Sequence, residues 1–490
     1  MGNSIAYAAL FTFPIIAFFL FVRFSTPAAL VSSILAGYLL LPVGVSIKVP
    51  AAPDIEKQTI TVLTCAVLCL LFGRSSRSRA HSSSPMAGTV KLSDPKPLRP
   101  RPATNRVFAF LALLAILMPF YTYLNNQEHL VYGPSIVLGM TLFDTLSFVQ
   151  SVVITLLPLY LGYKHLRRER DQKFLLSAIS IAGLLYSLPI LFEIRMSPQL
   201  HVWVYGFFPH SFLQQARGDG FRSVVFLGHG LAVAIFLAMA IIASWGLSQG
   251  THDKSWRTRW RFAAFYLVGV LVLQKSLGAL ILVIGLVGSM MVLRERSRAL
   301  LLFLIGILVI TYPILRGSDL FPTQSILALV ETISPERGES LSFRLNNEDR
   351  LLDKAAQKPI AGWGSNGRNR VFDPETGNDI SVTDGFWVII IGIHGWIGYL
   401  AFFGLLTLPL FLIRKRYKRY QISPITLGLA FVLAVKLIDL LPNAGLAPIT
   451  WLVAGSLVGS LLPSELELRE PAPMKQFAKA SVPLTALRRR

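Results

Sequence analysis

The 490-residue chain is 53% hydrophobic and only 15% charged, whereas an average soluble domain has about 25% charged residues. This composition excludes an ordinary soluble protein, so the formal net charge of +21 has to be explained in a membrane setting. The basic residues gather in short clusters between apolar runs, which is typical of one solvated, lipid-attracting face. We therefore predict membrane lipids as a partner and no nucleic acid.

Long apolar runs recur along the chain, and about 20 such residues are enough for a helix to cross the hydrocarbon layer. They predict an all-α polytopic membrane protein with about 12–13 transmembrane helices. The predicted spans lie near residues 4–22, 26–43, 59–73, 107–124, 145–163, 174–192, 223–245, 262–274, 277–293, 299–315, 385–412, 423–441 and 446–462.

Charge and composition divide the chain further. Residues 74–106 are rich in Ser, Pro and Arg, which predicts a disordered basic cytoplasmic linker. Because short cytoplasmic loops carry the Lys and Arg excess, the loops with few basic residues face outward. The predicted units are N-terminal transmembrane helices (1–73), the linker, a transmembrane bundle (107–315) with an outer loop (193–222), a large outer lid (316–384), C-terminal transmembrane helices (385–462) and a cytoplasmic tail (463–490).

Several charged residues stand out against this background. The outer loop contains Arg195, Arg217 and Arg222 among aromatic residues, which fits either a connecting loop with aromatic anchors or an anion site. Lys275 lies between two short apolar runs, so it is either a loop lysine or a cation that points into a cavity. His229 either lines a cavity or packs inside the bundle. Further along, the i, i+3 spacing of Lys436 and Asp439 predicts a structural ion pair.

The lid contains six arginines, at positions 316, 337, 344, 350, 368 and 370. Asn346 or Asn347 is predicted to cap a helix that ends near Pro359, with Leu351, Leu352 and Ala355 on a face that lies on the membrane. Gly362, Gly364 and Gly367 then permit a tight backbone that can approach an anion. Because arginine binds phosphate through paired, charge-assisted hydrogen bonds, we predict a lipid-linked phosphate or pyrophosphate as the ligand.

The lid sequence resembles the bacterial O-antigen ligase and O-antigen polymerase (Wzy-type) superfamily. The matching features are Arg344 and Arg350, the segment PIAGWG at 359–364, and GIHGWIG at 392–398 in the following span. The resemblance extends over about residues 223–412. It implies glycan transfer from an undecaprenyl-pyrophosphate-linked donor to a glycan acceptor, at the periplasmic face of the bacterial inner membrane, in O-antigen or exopolysaccharide biosynthesis. It also implies no cofactor, no required metal, and a possible chain-length regulator or assembly protein as partner.

In this family a histidine at the end of the lid activates the acceptor hydroxyl, and the corresponding residue here is Asp384. This departure favours a polymerase or another exopolysaccharide-assembly protein over a lipopolysaccharide ligase. We predict that Arg217 and Arg222, with Arg195 and Lys275, stabilise the departing pyrophosphate, and that Asp384 orients or deprotonates the acceptor hydroxyl. The predicted substrate contacts also include Arg344, Arg350, Arg368 and His229. Two alternatives are a transporter or flippase of lipid-linked sugars and a non-catalytic assembly protein.

Overall fold

The computed structural model describes residues 2–49, 54–73, 106–217, 220–318, 320–417 and 422–462, without the side chains of residues 217, 333, 336 and 337. The described ranges form sixteen α-helices, which confirms the all-α prediction. They are α1 (Ser4–Arg23), α2 (Thr26–Leu40), α3 (Lys57–Phe72), α4 (Arg106–Leu124), α5 (Leu142–His165), α6 (Glu169–Met196), α7 (Leu200–Tyr205), α8 (Gly230–Gln249), α9 (Lys254–Leu273), α10 (Leu277–Val292), α11 (Glu295–Gly317), α12 (Thr323–Ile333), α13 (Pro335–Ala356), α14 (Phe386–Tyr417), α15 (Pro424–Asp439) and α16 (Pro448–Leu461).

Each predicted apolar run overlaps one of these helices. Seven helices in the described part of the chain are long and apolar enough to cross a membrane, namely α1, α4, α5, α6, α8, α11 and α14, and four shorter ones are also apolar. The chain is therefore a multi-pass membrane protein. Almost all of the predicted linker and the whole C-terminal tail lie outside the described residues.

The helices pack closely where small residues meet. A side chain on Gly246 of α8 would lie 3.0 Å from the Cα of Gly428 on α15, and one on Gly455 of α16 would lie 2.0 Å from the carbonyl oxygen of Leu159 on α5. Small residues let helix backbones approach in this way within a membrane, where apolar burial alone does not drive association. Helix α8 is buried along nearly its whole length, so it forms the centre of the bundle.

Three short antiparallel hairpins connect helices. They are β1–β2 (Ser46–Ile47 and Ile55–Glu56), β3–β4 (Leu130–Tyr132 and Ser135–Val137) and β5–β6 (Ala216–Arg217 and Gly220–Phe221). The last hairpin lies in the predicted outer loop, together with the short helix α7, on which Trp203 is exposed. The exposed Trp203 agrees with the alternative of a connecting loop with aromatic anchors.

The predicted start of the lid helix is wrong. Helix α13 begins at Pro335, about three turns before the predicted Asn cap, because Pro is favourable in the first turn of a helix. Asn347 instead lies inside α13, where its side chain donates to the carbonyl of Phe343 and accepts from the backbone N–H of Val382. The face with Leu351 and Ala355 is buried against the bundle and does not lie on the membrane surface.

Candidate functional site

A cavity of about 680 Å³ opens where the lid meets the bundle. Its walls come from distant parts of the chain: α2 and α3, the outer loop, the start of α8, the lid, and the end of α15 with the following turn. We call it the lid cavity. Its polar and charged lining residues include Tyr38, Lys57, His210, Arg222, His229, Arg344, Asp384, Lys436, Asp439 and Asn443.

One wall of the lid cavity is formed by a continuous network of polar side chains. Arg344 Nε on α13 lies 3.6 Å from Asp384 Oδ2, just before α14. Arg344 Nη1 donates to Asn443 Oδ1 at 3.2 Å, and the Asn443 amide donates to Asp439 Oδ1 at 2.8 Å. The network of side chains ends at Lys436, whose Nζ donates to Asp439 Oδ2 at 2.7 Å. The predicted Lys436–Asp439 ion pair is thus confirmed, and both partners also face the cavity.

The facing wall is built by the outer loop. The buried Glu193 carboxylate accepts hydrogen bonds from the backbone N–H groups of Leu200, Val224 and Val225, which fixes residues 223–229 as a non-helical segment that turns at Val225. Helix α8 therefore starts at Gly230, several residues after the predicted span begins. Arg222 precedes this non-helical segment, and its Nη2 donates to the carbonyl of Lys275 at 3.2 Å.

His229 lies at the N-cap of α8 and on the cavity wall. Its Nδ1 accepts from the backbone N–H of Leu231 at 3.0 Å, so the proton of the neutral ring is on Nε2. The ring of His210 lies nearly perpendicular to it, with 4.9 Å between ring centroids. His229 therefore lines the cavity, and the alternative prediction that it packs inside the bundle is wrong.

The N-terminal helices contribute a cation that the sequence analysis missed. Lys57, the first residue of α3, is buried, and its Nζ donates to the carbonyl of Phe226 at 2.8 Å. The same ammonium lies 5.9 Å from the centroid of the Tyr38 ring on α2. Only its position at the start of an apolar run distinguished Lys57 in the sequence. His210, in the outer loop, was likewise not assigned a role from the sequence.

Other predicted site residues lie elsewhere. Arg195, in the last turn of α6, and Arg350, on α13, are exposed and do not line the lid cavity. Lys275 is exposed in the turn between α9 and α10, as expected for a loop lysine. Arg217 belongs to β5, and its side chain lies outside the described residues.

Arg368 is fully buried and braces the lid. Its guanidinium donates to the backbone carbonyls of Trp363, Glu128 and Leu138, and its Nη2 lies 3.2 Å from Glu128 Oε1. These contacts fix the lid to the β3–β4 hairpin. Burial lowers the pKa of Arg368, and the neighbouring Glu128 carboxylate opposes that shift.

The lid glycines serve close packing against a kink in α14. The backbone N–H of Gly364 donates to the carbonyl of Ile393 at 2.9 Å. Gly395 has a φ of 62°, and a Cβ there would lie 2.3 Å from the carbonyl oxygen of Ile360. Because these N–H groups and close approaches serve backbone contacts, the geometry gives the glycines a docking role in place of the predicted anion contact.

An ion cluster around the buried Arg316 attaches the lid helix to the bundle. Arg316, in the last turn of α11, lies 2.7 Å from Asp349 Oδ1 and 3.7 Å from Glu348 Oε2. It also donates to the carbonyl of Leu345. Burial raises the pKa of Glu348 to about 7, even though Arg316 acts in the opposite direction. All of these contacts lie within the turn and a half that follows Arg344, so they set where Arg344 points.

The fold and the cavity together define a class of protein: a multi-pass helical membrane protein whose lid closes over a cation-rich cavity. Residues 262–403 match the family model of O-antigen ligase. This match confirms the predicted resemblance to the O-antigen ligase and polymerase superfamily over this part of the chain. The matched region includes Arg344 and Asp384. No curated protein matches the chain.

Proposed function

We propose that the protein is a membrane glycosyltransferase that moves a glycan from an undecaprenyl-pyrophosphate carrier to a glycan acceptor in the lid cavity. The observation that supports this is the charge of the cavity. Four cations line it, Lys57, Arg222, Arg344 and Lys436, against two carboxylates, Asp384 and Asp439. Three of the cations are buried, and a buried excess of positive charge is costly unless an anion joins it. A pyrophosphate supplies that anion.

The proposed reaction is a displacement at the anomeric carbon of the donor glycan. A hydroxyl oxygen of the acceptor forms the new bond to this carbon, and the bond from the carbon to the phosphate oxygen breaks. The electron pair leaves with undecaprenyl pyrophosphate, and the hydroxyl proton passes to the Asp384 carboxylate. Attack opposite to the leaving group inverts the anomeric centre. No metal or cofactor is required in this scheme.

The cations act on the leaving group. Arg222 and Lys57 approach from the outer loop and α3, and Arg344 approaches from the lid, so they surround the space between the two walls. Fixed cations that meet charge as it develops stabilise the transition state more than the ground state. With an aspartate in place of the family histidine, we favour a polymerase or another exopolysaccharide-assembly enzyme, acting at the periplasmic face of the inner membrane.

The test is a transfer assay with the full-length protein in vesicles. The donor is the lipid-linked repeat unit extracted from the producing strain, and the readouts are released undecaprenyl pyrophosphate and elongated glycan. Arg222→Gln should lower the rate by about 100-fold. The matched control is Arg195→Gln, which removes an exposed arginine close to the same loop and should keep the wild-type rate.

Two outcomes would overturn the proposal. Equal rates for Arg222→Gln and the wild type would show that the cavity takes no part in the reaction. Movement of the lipid-linked donor across the vesicle membrane without any transfer would identify a flippase instead.

A further inference from the structure

A second charged pocket, of about 290 Å³, lies at the opposite end of the bundle from the lid cavity. Helix α8 shows the separation, because it begins beside the lid cavity at Gly230 and ends at Gln249 in this pocket. Twenty helical residues span roughly 30 Å. The pocket is lined by Arg257 and Arg261 of α9 and by Arg298 of α11, and we call it the arginine pocket.

Two of the three arginines are held in place by the protein itself. Arg298 Nε donates to the carbonyl of Leu293 at 2.9 Å, and its Nη1 donates to Gln249 Oε1 at 2.8 Å. Arg257 donates from Nε and Nη2 to the carbonyl of Thr251, both at 3.2 Å. Both side chains are half-buried. A guanidinium fixed in this way loses little further freedom when it binds an anion.

The depth of the pocket in the membrane follows from the sequence on either side of it. In α9 the basic stretch ends at Arg261 and apolar residues begin at Phe262, and in α11 the same change occurs between Arg298 and Ala299. Trp256 and Phe262 are exposed on α9. Aromatic residues at such a change mark the headgroup layer, so the pocket lies at the level of lipid phosphates.

We propose that the arginine pocket binds the headgroup phosphate of an anionic phospholipid in the leaflet opposite the lid. Glu295 also lines the pocket, which leaves an excess of two positive charges over the four ionic side chains. Basic pockets between transmembrane helices are suited to anionic headgroups. The lipid joins α9 and α11 at the end of the central helix α8. This proposal is independent of the proposed transferase function.

The experiment measures lipid binding to the full-length protein by native mass spectrometry. Dioleoyl-phosphatidylglycerol and dioleoyl-phosphatidylcholine are titrated separately, because they share acyl chains and differ in headgroup charge. Arg257→Gln combined with Arg261→Gln should lower the association constant for phosphatidylglycerol by about 30-fold, at ~1 kcal/mol for each arginine. Arg261→Gln alone should lower it about 5-fold, and because Arg261 is exposed this variant should fold normally.

The matched control removes the same number of charges from the two helices that carry the pocket arginines. Arg259 and Arg296 are exposed and do not line the pocket, so Arg259→Gln with Arg296→Gln should leave the association constant unchanged. Equal losses in both double variants, or no preference of the wild type for phosphatidylglycerol, would overturn the proposal. Full displacement of the lipid by glycerol phosphate at equal concentration would show a site for a soluble anion and would also overturn it.

Discussion

Arg344 Nε lies 3.6 Å from Asp384 Oδ2, and each side chain is about one-third exposed to the lid cavity. The pair joins the lid helix α13 to the proposed proton acceptor, Asp384. A phosphate that binds Arg344 competes with this carboxylate for the same guanidinium. In the proposed reaction, donor binding would therefore release Asp384 to take the acceptor proton, which couples the two substrates.

Loss of the Arg344 guanidinium should remove one of the donors to the leaving group. We expect Arg344→Ala to lower the transfer rate by about 100-fold or more. The control is Arg350→Ala on the same helix, where the side chain is exposed and away from the cavity. Transfer assays on both variants at equal protein level check this, and a similar loss in both would indicate a general effect on the lid.

The Asp384 carboxylate is expected to accept the acceptor proton. Asp384→Asn keeps the shape of the side chain but removes this capacity, so the transfer rate should fall by about 100-fold or more. Asp373→Asn changes another lid carboxylate, which is held by the backbone N–H groups of Glu375 and Thr376 away from the cavity. If the two substitutions gave the same rate, Asp384 would have no special part in the reaction.

Glu348 should make the stability of the protein depend on pH. Burial raises the pKa of this carboxyl from 4.5 to about 7, so between these values the folded state holds a proton that the unfolded state has lost. The free energy of unfolding therefore falls as pH rises through this window and levels off above it. Thermal unfolding from pH 5 to 8 should show a falling midpoint for the wild type and a flatter profile for Glu348→Gln.

The control for this pH profile is Glu339→Gln, which changes an exposed carboxyl on the same helix. It should keep the wild-type slope. A wild-type slope in Glu348→Gln as well would assign the pH dependence to other groups.

Gly395 should be required for docking of the lid. Its positive φ and the 2.3 Å approach of a Cβ to the Ile360 carbonyl oxygen leave no room for a side chain. We expect Gly395→Ala to lower the amount of folded protein and to expose the lid to limited proteolysis. Gly285→Ala is the matched control, because a Cβ at this position of α10 meets nothing within 4 Å. Equal protease resistance in the two variants would contradict the docking role.

Some features followed from residue patterns within one segment. The pairing of Lys436 with Asp439 was predictable because two charges three residues apart share one helix face. The bounds of α10, after Lys275, were predictable from its apolar run, whereas α9 begins at Lys254, before the predicted run. By contrast, the cap assigned to Asn346 or Asn347 was wrong, because Ser334 and Pro335 start α13 earlier and tertiary packing extends it.

The sequence by itself determined the membrane class, the order of the apolar helices, and the family resemblance, because apolar runs and short motifs are local properties. Only the tertiary structure decided which charges share a cavity. It places Lys57 and Arg222 in one cavity with Arg344 and Asp384. It also shows that Arg368 attaches the lid to the β3–β4 hairpin. The physical reason is that Lys57 and Arg222 are far in the chain from Arg344 and Asp384, as Glu128 is from Arg368. The direction of a side chain in a bundle depends on helix packing that spacing along the chain does not encode.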